Sequence, residues 1–227
     1  LAIVSLGLRG GYLARWLILS LFAWVTYSVN TLLEAAIFTT FGAASPFTAL
    51  IQLVGSVTCG AAVAVLFSPE HRGRSFATSM RQFFARRSAT EWGWRIPLAA
   101  LAFMPIYLFF GRLVVPFTYE YYLQELVGLS APGWGQILPV LFMRSVLFLA
   151  ASLPVLLTWG KSRRGLVLSL GFALFVLVGA VGLIGGYWMP VSMRLFHGLE
   201  ILADSLVYSW VIVILLWGTP KPLKESF

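Results

Sequence analysis

The sequence predicts an all-α fold: a polytopic integral membrane protein of six transmembrane helices, with both termini cytoplasmic. Three observations carry that expectation, namely a shortage of charge, six long apolar runs and a one-sided distribution of Lys and Arg. The 227 residues are 59% hydrophobic and only 11% charged, with a mean hydropathy of +0.89. Soluble domains carry about 25% charged residues. A chain with so few cannot cover a globule facing water, so its solvent is lipid.

A helix needs roughly 20 apolar residues to cross a hydrocarbon core about 30 Å thick. That ruler places spans at 13–38, 47–67, 96–117, 137–159, 166–188 and 192–217, in one transmembrane domain covering 1–227. Orientation follows from the basic residues. Arg9 and Arg15 precede span 1; Arg72, Arg74, Arg81, Arg86, Arg87 and Arg95 lie between spans 2 and 3. Lys161, Arg163 and Arg164 separate spans 4 and 5, and Lys221 and Lys224 follow span 6. The connections on the other side, 39–46, 118–136 and 189–191, hold none. The basic side is therefore expected in the cytoplasm, and the expected location is a bacterial inner membrane.

Tryptophans agree with these boundaries. Trp16, Trp92, Trp94, Trp159 and Trp217 fall at the inner boundary, Trp134 and Trp188 at the outer one, and only Trp24 and Trp210 lie deep in spans. The apolar start, Leu1–Leu8, reads as the tail of an upstream helix or a segment lying at the interface. The single Cys59 has no partner within the chain and reads as a small buried hydrophobe.

The net charge of +8 points to anionic lipid headgroups and not to nucleic acid, because it is concentrated between apolar runs. Ser68-Pro69-Glu70 reads as a helix start, and Phe76, Met80, Phe83 and Phe84 recur at helical spacing among basic residues. A basic amphipathic helix over 69–87 is expected to lie on headgroups, with docking of a cytoplasmic partner such as an ATPase as the alternative. Ser88–Glu91 has the spacing of a capping box leading into span 3. On the outer side, Tyr119–Val127 reads as a short interfacial helix, ended by the Ala131–Gly135 turn. Ser56, Gly60 and Ala64 on span 2, and Gly179, Gly182, Gly185 and Gly186 on span 5, mark expected close packing. Pro105 is expected to kink span 3 and free a carbonyl near Leu101.

The informative residues are the ionisable ones inside spans: Glu34 in span 1, Arg112 in span 3, Arg144 in span 4, and Arg194, His197, Glu200 and Asp204 in span 6. Each costs at least about 2.5–3.5 kcal/mol at mid-bilayer on insertion scales, so each should be paired or face water. At about 1.5 Å per residue, all except Asp204 fall in the outer half. At 100° per residue His197, Glu200 and Asp204 share an arc of about 60°, with Tyr208 at its edge. Asn30 and Glu34, four apart, make a second polar stripe on span 1. Arg144 is expected to pair with Glu200 or Asp204, with Arg112 and Glu34 nearby.

Two readings compete for this set. Three cations balance three anions, as a structural network fixing helix register would. The other reading is an outward-opening cavity between spans 1, 3, 4 and 6 that binds a polar or anionic substrate or relays protons. The functional expectation is thus a transport-type protein, a permease or the membrane subunit of a transporter. The first alternative is a non-catalytic subunit held by protein partners in the membrane. A second is an intramembrane enzyme acting on a lipid-linked or phosphate-bearing substrate, and the balance of residues speaks against it. His197, Glu200, Asp204 and Glu34 include one histidine, whereas zinc sites draw on several His or Cys ligands. Cys59 and His197 fall in opposite halves, and no GxxxxGK[ST] loop occurs. The sequence identifies no cofactor.

Six spans with a cytoplasmic helix after span 2 resemble the membrane domains of ABC-type exporters in outline. The short turn between spans 5 and 6 departs from that family, and no residue role is carried over.

Overall fold

The computed structural model describes residues 1–40, 46–69 and 75–217. Among them six helices are long and apolar enough to cross a membrane: Tyr12–Phe38, Phe47–Leu66, Ala89–Leu123, Trp134–Thr158, Arg163–Gly185 and Val191–Leu216. The chain is an all-helical, multi-pass integral membrane protein. The basic loops gather at one end. There Arg95 donates to the carbonyl of Leu215 at 2.9 Å, Arg9 donates from its backbone to Thr158 at 2.8 Å, and Arg86 lies over the Trp217 ring. At the opposite end the backbone of Thr40 donates to Gly128 and that of Ser130 to Phe38.

Span 4 runs through the middle, touching spans 1 and 3, and span 6 packs between spans 3 and 5. The tightest packing lies toward the basic end, where Leu19, Leu156, Leu170, Ile212 and Val213 are wholly buried. Spans 1 and 2 close on one another because Gly60 takes the Ser20 backbone: a Cβ there would stand 2.9 Å from the Ser20 nitrogen. Trp16 and Trp24 tie the same pair, donating to the carbonyls of Val57 and Ala49 at 2.9 and 3.1 Å. Small residues on span 2 thus do what their spacing implies.

On span 5 the packing glycines are Gly171, against Leu206, and Gly179, against Ile201. Gly182 and Gly185 meet nothing within 4 Å, so the expected crowding there is absent. Cys59 is exposed, correcting its expected burial: its face of span 2 looks away from the bundle.

Span 3 begins at Ala89, where Ser88 and Glu91 form the capping box, with hydrogen bonds of 3.1 and 3.2 Å. It breaks at Ala102, three residues before Pro105, which has no N–H to donate. The Ala100 carbonyl left at the break accepts from the Ser145 hydroxyl of span 4. The helix then continues to Leu123, absorbing most of the segment expected as a separate interfacial helix. Only the turn Leu126–Gly128 follows, and Gln124 bonds Glu120 one turn back at 3.0 Å. The apolar length of Tyr119–Leu123 simply prolongs the helix.

The basic helix is shorter than expected, Phe76–Phe84, and Ser75 caps it by accepting from the backbone of Thr78. The Ser68 hydroxyl donates back to the carbonyl of Ala64 on span 2. Glu70, His71, Arg72 and Arg74, like Lys221 and Lys224, lie outside the described residues. Phe83 is wholly buried, and with Phe84 it packs on Trp92, whose indole donates to the Phe84 carbonyl at 2.9 Å. The apolar side of this helix therefore faces the protein's own bundle as well as any headgroup. Leu1–Leu8 forms one helical turn across the same end, burying Val4 and Leu8.

Two π-helical turns were not foreseen, Trp24–Val29 in span 1 and Val176–Ala180 in span 5. They touch each other across the bundle. A π-turn accommodates an extra residue, so it changes the face presented by everything beyond it.

Candidate functional site

Dense packing toward the basic end leaves room in the opposite half, and there the bundle holds a cavity of about 320 Å³. Spans 1, 3, 4, 5 and 6 all contribute to its wall, together with Leu129 and Trp188 from the connections. The wall is mainly apolar and aromatic, with three carboxylates (Glu34, Glu200, Asp204), one arginine (Arg144) and one histidine (His197).

Span 6 supplies a descending stripe. The side chain of His197 is 23% exposed, Glu200 is 7% exposed and Asp204 3%, and Tyr208 is wholly buried. The spacing of three and four residues puts all four on one helical face. His197 Nδ1 lies 2.9 Å from Glu200 Oε2, and His197 Nε2 lies 3.4 Å from the Tyr122 hydroxyl of span 3. The ring is thus held by a carboxylate on one nitrogen and faces a phenol with the other. The remaining Glu200 oxygen rests beside Gly111, where a Cβ would stand only 3.2 Å from Oε1.

Span 4 supplies the cation. Arg144 is 3% exposed, and its Nη2 lies 2.7 Å from Glu34 Oε1 of span 1. Its guanidinium sits over the rings of Phe103, Tyr107 and Phe148, 5.2 to 5.7 Å from their centroids. This corrects the expected pairing of Arg144 with Glu200 or Asp204. The Trp24–Val29 π-turn precedes Glu34, so a continuous 100° count from the start of span 1 misplaces its face.

Five of the eight residues singled out in the sequence line this cavity: Glu34, Arg144, His197, Glu200 and Asp204. Three do not. Arg112 is exposed on span 3, beside the inward Gly111, and lies outside the cavity wall that holds Arg144 and Glu34. Arg194 is half-buried and outside the cavity wall. Asn30 is buried just past the π-turn, its amide atoms without hydrogen-bond partners among the described residues. The cavity wall therefore holds more carboxyl groups than cations, where counting every intramembrane ionisable residue gave a balance.

Sequence reasoning passed over the aromatic frame of Phe103, Tyr107, Tyr122 and Phe148, since aromatics are common in any membrane span. It also passed over the span 5 wall, having read Gly182 as packing. Gly111 was visible only as one of 21 glycines. Among the described residues no three of His, Cys, Asp and Glu converge to share a metal ion. Comparison of the chain with protein-family models, with curated proteins and with solved structures gives no match, so the site is read from its own residues.

Proposed function

We propose that the protein is a transport-type membrane protein whose central cavity binds a small polar solute. The observation that supports this reading is the cavity of about 320 Å³ walled by five of the six spans. Its volume is at the lower end of small-molecule sites, roughly 300–1,000 Å³, and it has their make-up of apolar walls with few polar groups. A network serving only helix register has no use for such a space. The excess of carboxylates over cations turns the reading away from an anionic solute. The basic residues described at the other end, among them Arg9, Arg86, Arg95 and Lys161, support a cytoplasmic placement of that end. The cavity would then open toward the outside.

The test is reconstitution of the full chain into proteoliposomes, followed by uptake of labelled cationic, neutral and anionic solutes. Gly182 has open space where a Cβ would go and lies on the cavity wall, so Gly182→Leu should fill the cavity without breaking packing. Uptake of a solute that Gly182→Leu abolishes, in a variant that still folds, supports the proposal. Uptake unchanged by Gly182→Leu, or no uptake of any solute, overturns it.

A second reading, the membrane subunit of a complex, is favoured by Arg112, a cation on the exposed surface of span 3. An intramembrane cation facing outward is costly unless it snorkels to headgroups or another chain covers it. Cross-linking from Arg112→Cys in native membranes tests this; capture of lipid alone would sink it.

A further inference from the structure

Glu34 is committed to Arg144, and Glu200 to His197, at 2.7 and 2.9 Å. Asp204 differs from both. It is 3% exposed, lines the cavity, and its Oδ1 is buried with no hydrogen-bond partner among the described residues. One turn deeper, the Tyr208 hydroxyl is also buried and without a partner among the described residues, and Tyr208 lines the same cavity. Residues four apart share a helical face. Among the described residues an unsatisfied carboxylate oxygen and an unsatisfied phenol oxygen thus lie one turn apart on the cavity face of span 6.

Leaving a charged acceptor buried and unpaired is strongly unfavourable, and a buried phenol ordinarily finds a partner. A ligand that carries positive charge and at least two N–H donors relieves both groups at once. A carboxylate only accepts, whereas a phenol can accept one of those donors. A quaternary ammonium offers no N–H and would leave Tyr208 as it is. The neighbouring wall is apolar, with Leu174, Val178, Met193 and Ile201 facing the same space.

We infer that Asp204 and Tyr208 form a cation subsite, and that its ligand is a primary or secondary ammonium ion carrying a compact apolar body. The inference rests on the transport reading and names the solute class of that same cavity. With the ligand bound, each cavity carboxylate has a partner: Arg144 for Glu34, the His197 ring for Glu200, and the ammonium for Asp204. Arg112 and Arg194 do not line the cavity, and Arg144, which does, is paired with Glu34.

The experiment is ligand binding to the full chain in lipid nanodiscs, read as saturable rise of the unfolding temperature and by calorimetric titration. The probes are 2-phenylethylammonium, its uncharged counterpart 2-phenylethanol, tetramethylammonium and benzoate. The expected result is that 2-phenylethylammonium binds about tenfold or more tighter than the alcohol, since a buried charge pair is at stake. Asp204→Asn should remove that preference, and Tyr208→Phe should weaken the amine several-fold, with both variants keeping the side-chain volume. Equal binding of amine and alcohol, or an amine preference that survives Asp204→Asn, overturns the subsite. Benzoate binding, or alcohol binding as tight as that of the amine, that Gly182→Leu abolishes also overturns it, while leaving the cavity as a solute site. If no probe binds and no solute crosses proteoliposomes, both proposals fall together.

Discussion

Arg144 lies 2.7 Å from Glu34, joining spans 4 and 1 within a frame of three aromatic rings. The pair stands at the edge of a cavity but is itself complete. Glu34 keeps about a third of its surface, while Arg144 is nearly enclosed. Arg144 is therefore the member whose loss should be felt. Removing one partner of a buried pair costs about 3–5 kcal/mol, and Arg144→Met should approach that range in mixed-micelle unfolding. Glu34→Gln should cost less, because its carboxylate is partly solvated. A charge swap between positions 34 and 144 should recover most of the loss; an equal swap between 144 and 200 should recover none.

Gly111 sets the position of the Glu200 carboxylate. Gly111→Ala asks a neighbour to yield by a few tenths of an ångström, and should be tolerated. Gly111→Val drives more atoms into Oε1 and should pull Glu200 away from His197. The expected readout is solute affinity that changes little in the alanine variant and falls about tenfold in the valine variant, with far-ultraviolet dichroism unchanged. Equal affinities in both variants would mean that Glu200 does not depend on this contact.

Gly60 should be far less tolerant. Its missing Cβ is occupied by the Ser20 backbone, which cannot rotate away. Gly60→Ala should separate spans 1 and 2 and destabilise by about 1–3 kcal/mol, the usual cost of overpacking. Gly55, on the same helix, meets nothing within 4 Å. Gly55→Ala should be neutral or stabilising by up to about 1 kcal/mol, as alanine restricts the unfolded chain. Denaturation midpoints of the two variants measured together check the contrast.

Orientation is open to labelling. In a Cys59→Ser background, Tyr187→Cys at the cavity end should react with an impermeant maleimide on intact cells. Lys161→Cys at the basic end should react only after permeabilisation. Tyr187 is 86% exposed, so poor access cannot mask the result. The reverse pattern would place the cavity toward the cytoplasm.

The sequence by itself determined the class, the number of spans and the chemical difference between the two ends. These depend on totals over 20 residues or on which loops hold Lys and Arg, and neither needs to know which helices touch. It also determined the span 6 stripe, because that helix runs unbroken from Val191 to Leu216 and 100° per residue holds throughout. The capping box at Ser88 and the break near Pro105 were legible for a similar reason, being local backbone chemistry.

Only the tertiary structure decided the partner of Arg144, the exclusion of Arg112 and Arg194 from the cavity, and the part played by span 5. Two π-turns shift the helical faces beyond Trp24 and Val176 without any composition that marks them. Which face of one helix meets another is set by packing that no single helix contains. A glycine reads the same in sequence whether it admits a backbone, as Gly60 does, a carboxylate, as Gly111 does, or a solute, as we propose for Gly182.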